Sequence, residues 1–480
     1  MTTTASDGDL PSTPSFPGIL KLLLVLVVAW AGPALAAPNP NDRVQMHHNP
    51  NRGVPYLKLS KAGAASSTAT IAMRATTRIE LDGSALLNVR GNLYPIDLDG
   101  DGRFGFVHFN GYRFMRVYDQ AGRKLWQIDN PSGRVHRDPI HRDTLAVLDS
   151  NGNGTQEIVH CWVGGGRKQL VVRSGRTGAV LRAVDLDASV GSECQIAAFR
   201  VFGHAKPIIL VAEQNRSGCP TAGNYIDTWG RTVAFDTELN RLWDRNTCAA
   251  GHYVYPVDGN ADGYAGSIFI GRHLYDPEGN RLCSVDLGGT HADAVAIGDL
   301  DPGRIGLEAV LTGANGMKAV SSAQACATIW SISNSTIYNP QHATLARLDP
   351  ASSVPTVVVH QKGTVSNKAV YFISGQGRIQ AKYTNRQVNA EMPYQNANLD
   401  GARGTDELMI FYGRVLDRSG KIRLSTGWYW NLQGSKVKAI KPPTAFDSWT
   451  PYPLVMDLDR DGRDEIVTWG QSLIVIGKGT

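Results

Sequence analysis

The chain has 480 residues, 42% hydrophobic and 19% charged, with 48 Lys and Arg against 43 Asp and Glu for a formal charge of +5. That is enough apolar material for a large folded core, which excludes an intrinsically disordered chain. The mild charge, with no basic run, excludes the electrostatic footprint of a nucleic-acid binder, while an acidic polymer remains a compatible partner.

The first element is an export signal. Lys21 precedes the apolar run Leu22-Leu-Leu-Val-Leu-Val-Val-Ala-Trp30, and Ala34-Leu-Ala36 supplies small residues for cleavage. The run is too short for a membrane span. The expected organisation is a signal peptide over residues 1–36, an N-terminal arm over 37–75 and one catalytic domain over 76–480. The mature protein is expected to be secreted or periplasmic, monomeric and without a membrane span.

From residue 90 onward the chain repeats itself. Asp97-Leu-Asp-Gly-Asp-Gly, Asp149-Ser-Asn-Gly-Asn-Gly, Asp258-Gly-Asn-Ala-Asp-Gly and Asp457-Leu-Asp-Arg-Asp-Gly each follow a short apolar run, and most precede a second one. Degraded copies start near 199, 299, 349 and 398. The steps between copies are 52, 50, 59, 41, 50, 49 and 59 residues, which suits one four-stranded blade each, given propeller repeats of roughly 40 to 50 residues. The fold class is therefore all-β, a single β-propeller of seven or eight blades. The last unit is one strand short at the C-terminus, so an early segment, 77–89, is expected to complete it.

The loop chemistry points to calcium. Alternating Asp and Asn oxygens suit a hard cation, and glycine allows the sharp turn between ligands. The candidate ligands are Asp97, Asp99 and Asp101, then Asp258, Asn260 and Asp262, then Asp457, Asp459 and Asp461, with Ca²⁺ in a structural role. The same residue types build turns that bind nothing, and the loop at Asp149 reads equally well either way.

Six cysteines lie at 161, 194, 219, 248, 283 and 326. In an exported chain they suggest disulfides, most easily Cys219 with Cys248 and Cys283 with Cys326. A Zn²⁺ site built from cysteine with His204 or His252 is the lesser alternative, because no Cys-x-x-Cys spacing supports it.

In such a repeat, residues before the first strand of a unit and after the second share the face opposite the acidic loop. Those positions hold His141 and His160, then Tyr253, Tyr255 and Arg272, then His291, Tyr394 and Tyr412. Single residues of these types more often cap or pack than react. Their recurrence at equivalent positions instead suggests a shared canyon.

Gly251-His-Tyr-Val-Tyr-Pro-Val-Asp258, the segment 289–308 and the His141/His160 hairpin resemble the propeller polysaccharide lyases, namely ulvan lyases, rhamnosyl-glucuronate lyases and, more distantly, rhamnogalacturonan lyases. The resemblance implies seven blades for the first two groups and eight for the last. It also implies a canyon lined by two histidines about twenty residues apart and by a Tyr followed some sixteen later by an Arg. Here the separations are 19 from His141 to His160 and 17 from Tyr255 to Arg272, with Tyr253 the alternative tyrosine.

The implied reaction is β-elimination on a uronate polymer of the rhamnose–glucuronate, ulvan-like type. Arg272, with His160, would stabilise charge developing on the carboxylate. His141 would take the C5 proton, with Tyr255 as acid or alternative base. Tyr253, His291, Tyr394 and Tyr412 would bind substrate. Two other readings are a glycoside hydrolase on the same scaffold and a non-catalytic, calcium-binding adhesion or carbohydrate-binding propeller.

Overall fold

The computed structural model describes residues 73–80, 92–110, 114–130, 145–164, 167–186, 194–213, 230–259, 264–348, 352–362, 369–384, 395–397, 407–410, 414–416, 422–425, 454–458, 461–469 and 472–478. All of them belong to one compact unit, Pro38–Thr480. They contain strands and turns, and none forms a helix long and apolar enough to cross a membrane.

Among the described residues, eight four-stranded sheets follow one another along the chain, with hydrogen-bonded neighbours in sequence order in seven of them. Each is an antiparallel meander. The fourth, for example, joins Val254–Val257, Ser267–Ile270, His273–Tyr275 and Arg281–Ser284. All eight acidic or acid-poor loops expected from the repeat join the first and second strands of a sheet.

The eighth sheet is the exception in order. Leu454–Met456, Glu465–Trp469 and Ser472–Lys478 receive their fourth strand from Met73–Glu80, which pairs antiparallel with Ser472–Lys478. The closing strand thus begins four residues before the expected segment, and residues 81–89 of that segment lie outside the described residues.

Burial follows strand order within a sheet. The first strand Leu145–Leu148 is wholly buried, whereas the fourth strand Val180–Asp185 is mostly exposed. The core lies between neighbouring sheets. One cluster packs Ala197, Leu210 and Ala234 of the third sheet against Val254, Ile268 and Ile270 of the fourth, and another packs Phe269 and Leu274 of the fourth against Val295 and Leu311 of the fifth. First strands of successive sheets also neighbour one another. A strand buried on both faces reads as a continuous apolar run, which is the composition of Leu145-Ala-Val-Leu148.

The outer strands carry a recurring junction. Lys124-Leu-Trp126, Arg241-Leu-Trp243 and Thr328-Ile-Trp330 place an indole on the next sheet's last hairpin, where Nε1 donates to the carbonyls of Gly175 (2.7 Å), Pro277 (2.9 Å) and Gly375 (2.8 Å). Gly279 has φ +78°, and a Cβ there would lie 2.6 Å from the Trp243 ring. Only glycine suits both the left-handed conformation and the close approach. At the junction of the fourth and fifth sheets the same sequence position, Arg281-Leu-Cys283, holds cysteine, and a disulfide to Cys326 in the next sheet's last hairpin replaces the indole. This is one of the two expected pairings. Cys161 and Cys248 are disulfide-bonded as well, and Cys219 lies outside the described residues.

The loop face is stitched together by side chains. The Asp97 N–H donates to Gln156 Oε1 at 2.7 Å and the Gln156 N–H returns to the Asp97 carbonyl at 3.0 Å, tying the first sheet to the second. Glu157 accepts from Ser150 N and Oγ at 2.8 and 2.7 Å, Glu308 from Leu300 N at 2.7 Å and Glu465 from Leu458 N at 2.8 Å. The first residue of the second strand therefore anchors the loop before it in three sheets.

Candidate functional site

Opposite the loop face, the fourth and fifth sheets are joined through their backbones. The Ala250 carbonyl accepts from the N–H groups of both Arg272 (2.8 Å) and Ala292 (3.1 Å), and the His252 N–H donates to the Ala292 carbonyl at 3.3 Å. Two glycines permit this crowding. Gly271, at φ +52°, could not carry a Cβ, which would fall 2.0 Å from the Ala250 oxygen, and at Gly251, φ +139°, it would fall 2.3 Å from the Ala292 oxygen.

This frame brings three ionisable side chains together. His252 and His291 face each other with Nε2 atoms 3.0 Å apart and ring planes at 85°. Asp293 Oδ1 lies 3.2 Å from His291 Nε2 and 3.7 Å from His252 Nε2. Gln341, in the first strand of the sixth sheet, donates to Asp293 Oδ2 at 2.8 Å, and the Thr312 hydroxyl holds the Gln341 carbonyl at 2.9 Å. Burial alone would raise the Asp293 carboxyl, but hydrogen bonds from His252 and His291, with their charge, hold it at about 2.

Around this cluster stand the sequence-expected residues of the fourth sheet. Tyr253 packs beside His252 and Tyr255, with ring centroids 6.2 and 6.0 Å apart. Both tyrosines are buried within the hydrophobic cluster between the fourth and fifth sheets. Arg272 is half-buried, and its Nε donates to the Ala249 carbonyl at 3.1 Å. Next to it, His273 is lowered to about 4 by burial and by the Arg272 charge. Tyr253, Arg272 and His291 thus occupy one end of adjoining sheets, as the repeat geometry requires.

His160 sits elsewhere, in the second sheet. Its side chain is fully buried, Arg173 Nε donates to its Nε2 at 3.0 Å, and it packs edge-on against Phe109 and Trp162. Burial, then the Arg173 charge, lowers it to about 3. This is the environment of a neutral core imidazole. His141, Tyr394 and Tyr412 lie outside the described residues, as do Asn260, Asp262 and Asp459.

The acidic loops turn much of their oxygen inward. Asp97 is fully buried and its carboxylate accepts from the N–H groups of Gly100 (2.7 Å) and Gly102 (2.9 Å). Asp101 accepts from Arg103 N at 2.9 Å, Asp461 from Arg463 N at 2.8 Å, Asp457 from Gly462 N at 3.0 Å, and Asp99 pairs with Arg176 of the second sheet. Asp149 repeats the Asp97 pattern with Gly152 and Gly154. Asp258 closes the first strand of the fourth sheet at the same end.

The expected alternative of a zinc site built from cysteine with His204 or His252 meets four cysteines that are already bonded, while Cys219 and the Cys194 side chain lie outside the described residues. The four, at 161, 248, 283 and 326, are in disulfides, so their sulfurs are not thiolate ligands. His252 meets His291 and Asp293 instead. Asp293, Gln341 and the loop-anchoring glutamates are positions that the repeat pattern does not single out. The close His291-x-Asp293 pair was a usable signal, whereas Gln341 is 48 residues from its partner.

No family model matches the chain. Among curated proteins it is similar to the rhamnogalacturonan endolyase YesW of Bacillus subtilis (strain 168), 26% identical over 263 residues, covering 44% of this chain and 42% of that protein. The rhamnogalacturonan exolyase YesX of the same organism is 26% identical over 274 residues with the same coverage. The matched region thus spans less than half the length of these relatives. The crystal structure of YesW superposes with a TM-score of 0.60 at 18% identity over 84% of this chain and 75% of that one. The biofilm matrix protein Bap1 of V. cholerae superposes with a TM-score of 0.55 at 12% identity, over 85% of this chain and 91% of that one. These likenesses place the chain in a propeller-like all-β fold.

Proposed function

We propose that the protein is a polysaccharide lyase that cleaves a rhamnose–uronate polymer by β-elimination on an eight-bladed propeller. The observation that carries the reading is the convergence of Arg272, Tyr253, His252 and His291 on the end of the fourth and fifth sheets opposite the acidic loops. The sequence relatives support it, since both are named as rhamnogalacturonan lyases. They, together with eight sheets among the described residues, favour a rhamnogalacturonan-type backbone over the ulvan-like one.

Arg272 supplies the positive charge. The C5 proton of a uronate is weakly acidic while the neighbouring carboxylate is charged, so a guanidinium on that carboxylate lowers the barrier as negative charge grows. Its Nε is committed to Ala249, which orients the two terminal nitrogens as a fork for the substrate. The base takes the C5 proton, the electron pair forms the C4–C5 double bond and the C4–O bond breaks, its oxygen leaving protonated. His141 is the proposed base. The burial of His160, Tyr255, Tyr253 and His252 argues against direct contact with substrate, and the role falls to Arg272 and His291, which are only partly buried.

Residues 1–36 are proposed to direct export, and the disulfide chemistry supports an oxidising compartment. The loops at Asp97 and Asp457 are proposed Ca²⁺ sites with a structural role. In the first, Asp99 would have to exchange Arg176 for the ion.

Incubation with rhamnogalacturonan, ulvan and polygalacturonate, followed by ultraviolet absorbance of the unsaturated product, tests the reading. New absorbance with one rhamnose–uronate polymer is the expected result. Cleavage without a double bond would indicate hydrolysis, and tight binding without cleavage would indicate a matrix-binding role.

A further inference from the structure

We propose that the sixth sheet carries a second sugar subsite, in which Tyr338 stacks on a sugar ring and Lys362 holds the carboxylate of a uronate in the same polymer. The subsite rests on the lyase reading for its ligand and extends it. The fourth sheet supplies the pattern: the Arg272 N–H, just past the second strand Ser267–Ile270, donates to the Ala250 carbonyl in the connection that enters the sheet. The sixth sheet repeats it. Lys362 follows the second strand Thr356–Gln361, and its N–H donates at 3.0 Å to the carbonyl of Asn339, in the connection that enters the sheet at Pro340. A cation with a nearby tyrosine thus recurs in the same frame, on the same face, two sheets from Arg272.

Tyr338 is 57% exposed. Single exposed rings are ordinary on a protein surface, but the backbone of this one is pinned on both sides. Ile337 is fully buried in the core between the fifth and sixth sheets, and its N–H donates to the Ser333 carbonyl at 3.1 Å. Asn339, at φ +44°, donates its N–H to Asn334 Oδ1 at 2.6 Å. A backbone fixed before binding leaves only the side chain's own rotation to be lost when a sugar covers the ring. Tyrosine offers an apolar face to sugar C–H groups and a hydroxyl to a sugar oxygen. Lys362 is exposed as well, and its ammonium is a compact charge with three donors, suited to a carboxylate. One side chain joins the subsite to the cluster at the fourth and fifth sheets: Gln341 Nε2 donates to Asp293 Oδ2 at 2.8 Å and to Asn339 Oδ1 at 2.9 Å. The proposed canyon therefore continues from the fourth sheet to the sixth.

Affinity electrophoresis of the full-length protein on ice, through gels holding rhamnogalacturonan, ulvan or polygalacturonate with carboxylates free or methyl-esterified, would be run beside the ultraviolet assay of unsaturated product. One rhamnose–uronate polymer should retard the parent. Tyr338→Ala should weaken that binding by about 2- to 10-fold, and Tyr338→Phe by less. Lys362→Gln should weaken binding to the free-acid polymer and flatten its salt dependence, while the esterified polymer, which lacks the charge, should no longer distinguish it from the parent. Circular dichroism checks folding of these exposed-site variants. Equal retardation of parent and variants overturns the subsite, and cleavage by the parent then keeps the lyase reading. Weaker retardation of the variants without any unsaturated product supports the subsite and overturns the lyase reading. A parent retarded by none of the three polymers, or a Lys362→Gln loss that persists on the esterified polymer, overturns the subsite as stated.

Discussion

Gly279 of the fourth sheet lies against the indole of Trp243 in the third, so close that any side chain would enter the ring. Gly279→Ala should therefore destabilise the protein by about 1–3 kcal/mol from overpacking, with left-handed strain in addition. Gly154→Ala is the control, because its φ is also positive, +89°, but nothing lies within 4 Å of the added methyl. Urea unfolding of both variants checks this; equal losses would show that the indole contact contributes nothing.

Acid should destabilise the protein before its carboxylates titrate. His108 and His160 are both held near a pKa of about 3 by burial, then by Arg116 and Arg173 respectively. Below about pH 6.5 the unfolded chain protonates these rings while the native state does not, so stability falls with pH from there down to the folded value. Each histidine contributes up to about 1.4 kcal/mol per pH unit in that window. Urea midpoints between pH 7 and 5 should drop in the parent and drop less steeply in His160→Gln. Parallel slopes would refute the assignment.

Reduction of Cys283–Cys326 opens a link across 43 residues of chain. The chain-entropy treatment gives about 4 kcal/mol for a loop of that length. A Cys283→Ser, Cys326→Ser double variant should lose a comparable amount in thermal or urea unfolding, and Cys283→Trp with Cys326→Gly should recover part of it if the indole junction is interchangeable.

Chelation should lower thermal stability more than turnover at a temperature where the fold survives, because the Asp97 and Asp457 loops lie at the sheet ends opposite Arg272. Arg176→Ala should raise calcium affinity by releasing Asp99. Calcium titration monitored by melting temperature reads both effects.

Arg272→Ala should impair both turnover and polymer binding. Arg272→Lys should not restore them fully, since a point charge lacks the planar fork. His141→Ala should abolish the unsaturated product while leaving binding largely intact. Near-normal elimination in both variants would place the reaction elsewhere.

The repeat was readable because each loop, its apolar flanks and its turn glycines are local: eight loop positions spaced along the chain became eight strand connections. The Cys283–Cys326 pairing was readable for the same reason, as the two cysteines fall in adjacent repeats. The tryptophan junctions and the meeting of His252 with His291 were not. Their partners are 34 to 49 residues apart and meet only once sheets pack face to face. Nor could the pattern separate a histidine at a strand end from one inside the sheet. His160 occupies a rim position by sequence count, but its strand runs on to Gly164 and carries it into the core.

The pairing of Met73–Glu80 with Ser472–Lys478 sets the order of events during synthesis. A segment made early waits until Ser472–Lys478 has been made before it finds its partner, so the eighth sheet cannot be completed while that strand is missing. Until then its neighbours present unpaired edges, the species most prone to self-association. A chain lacking Ser472–Lys478 would keep that edge open.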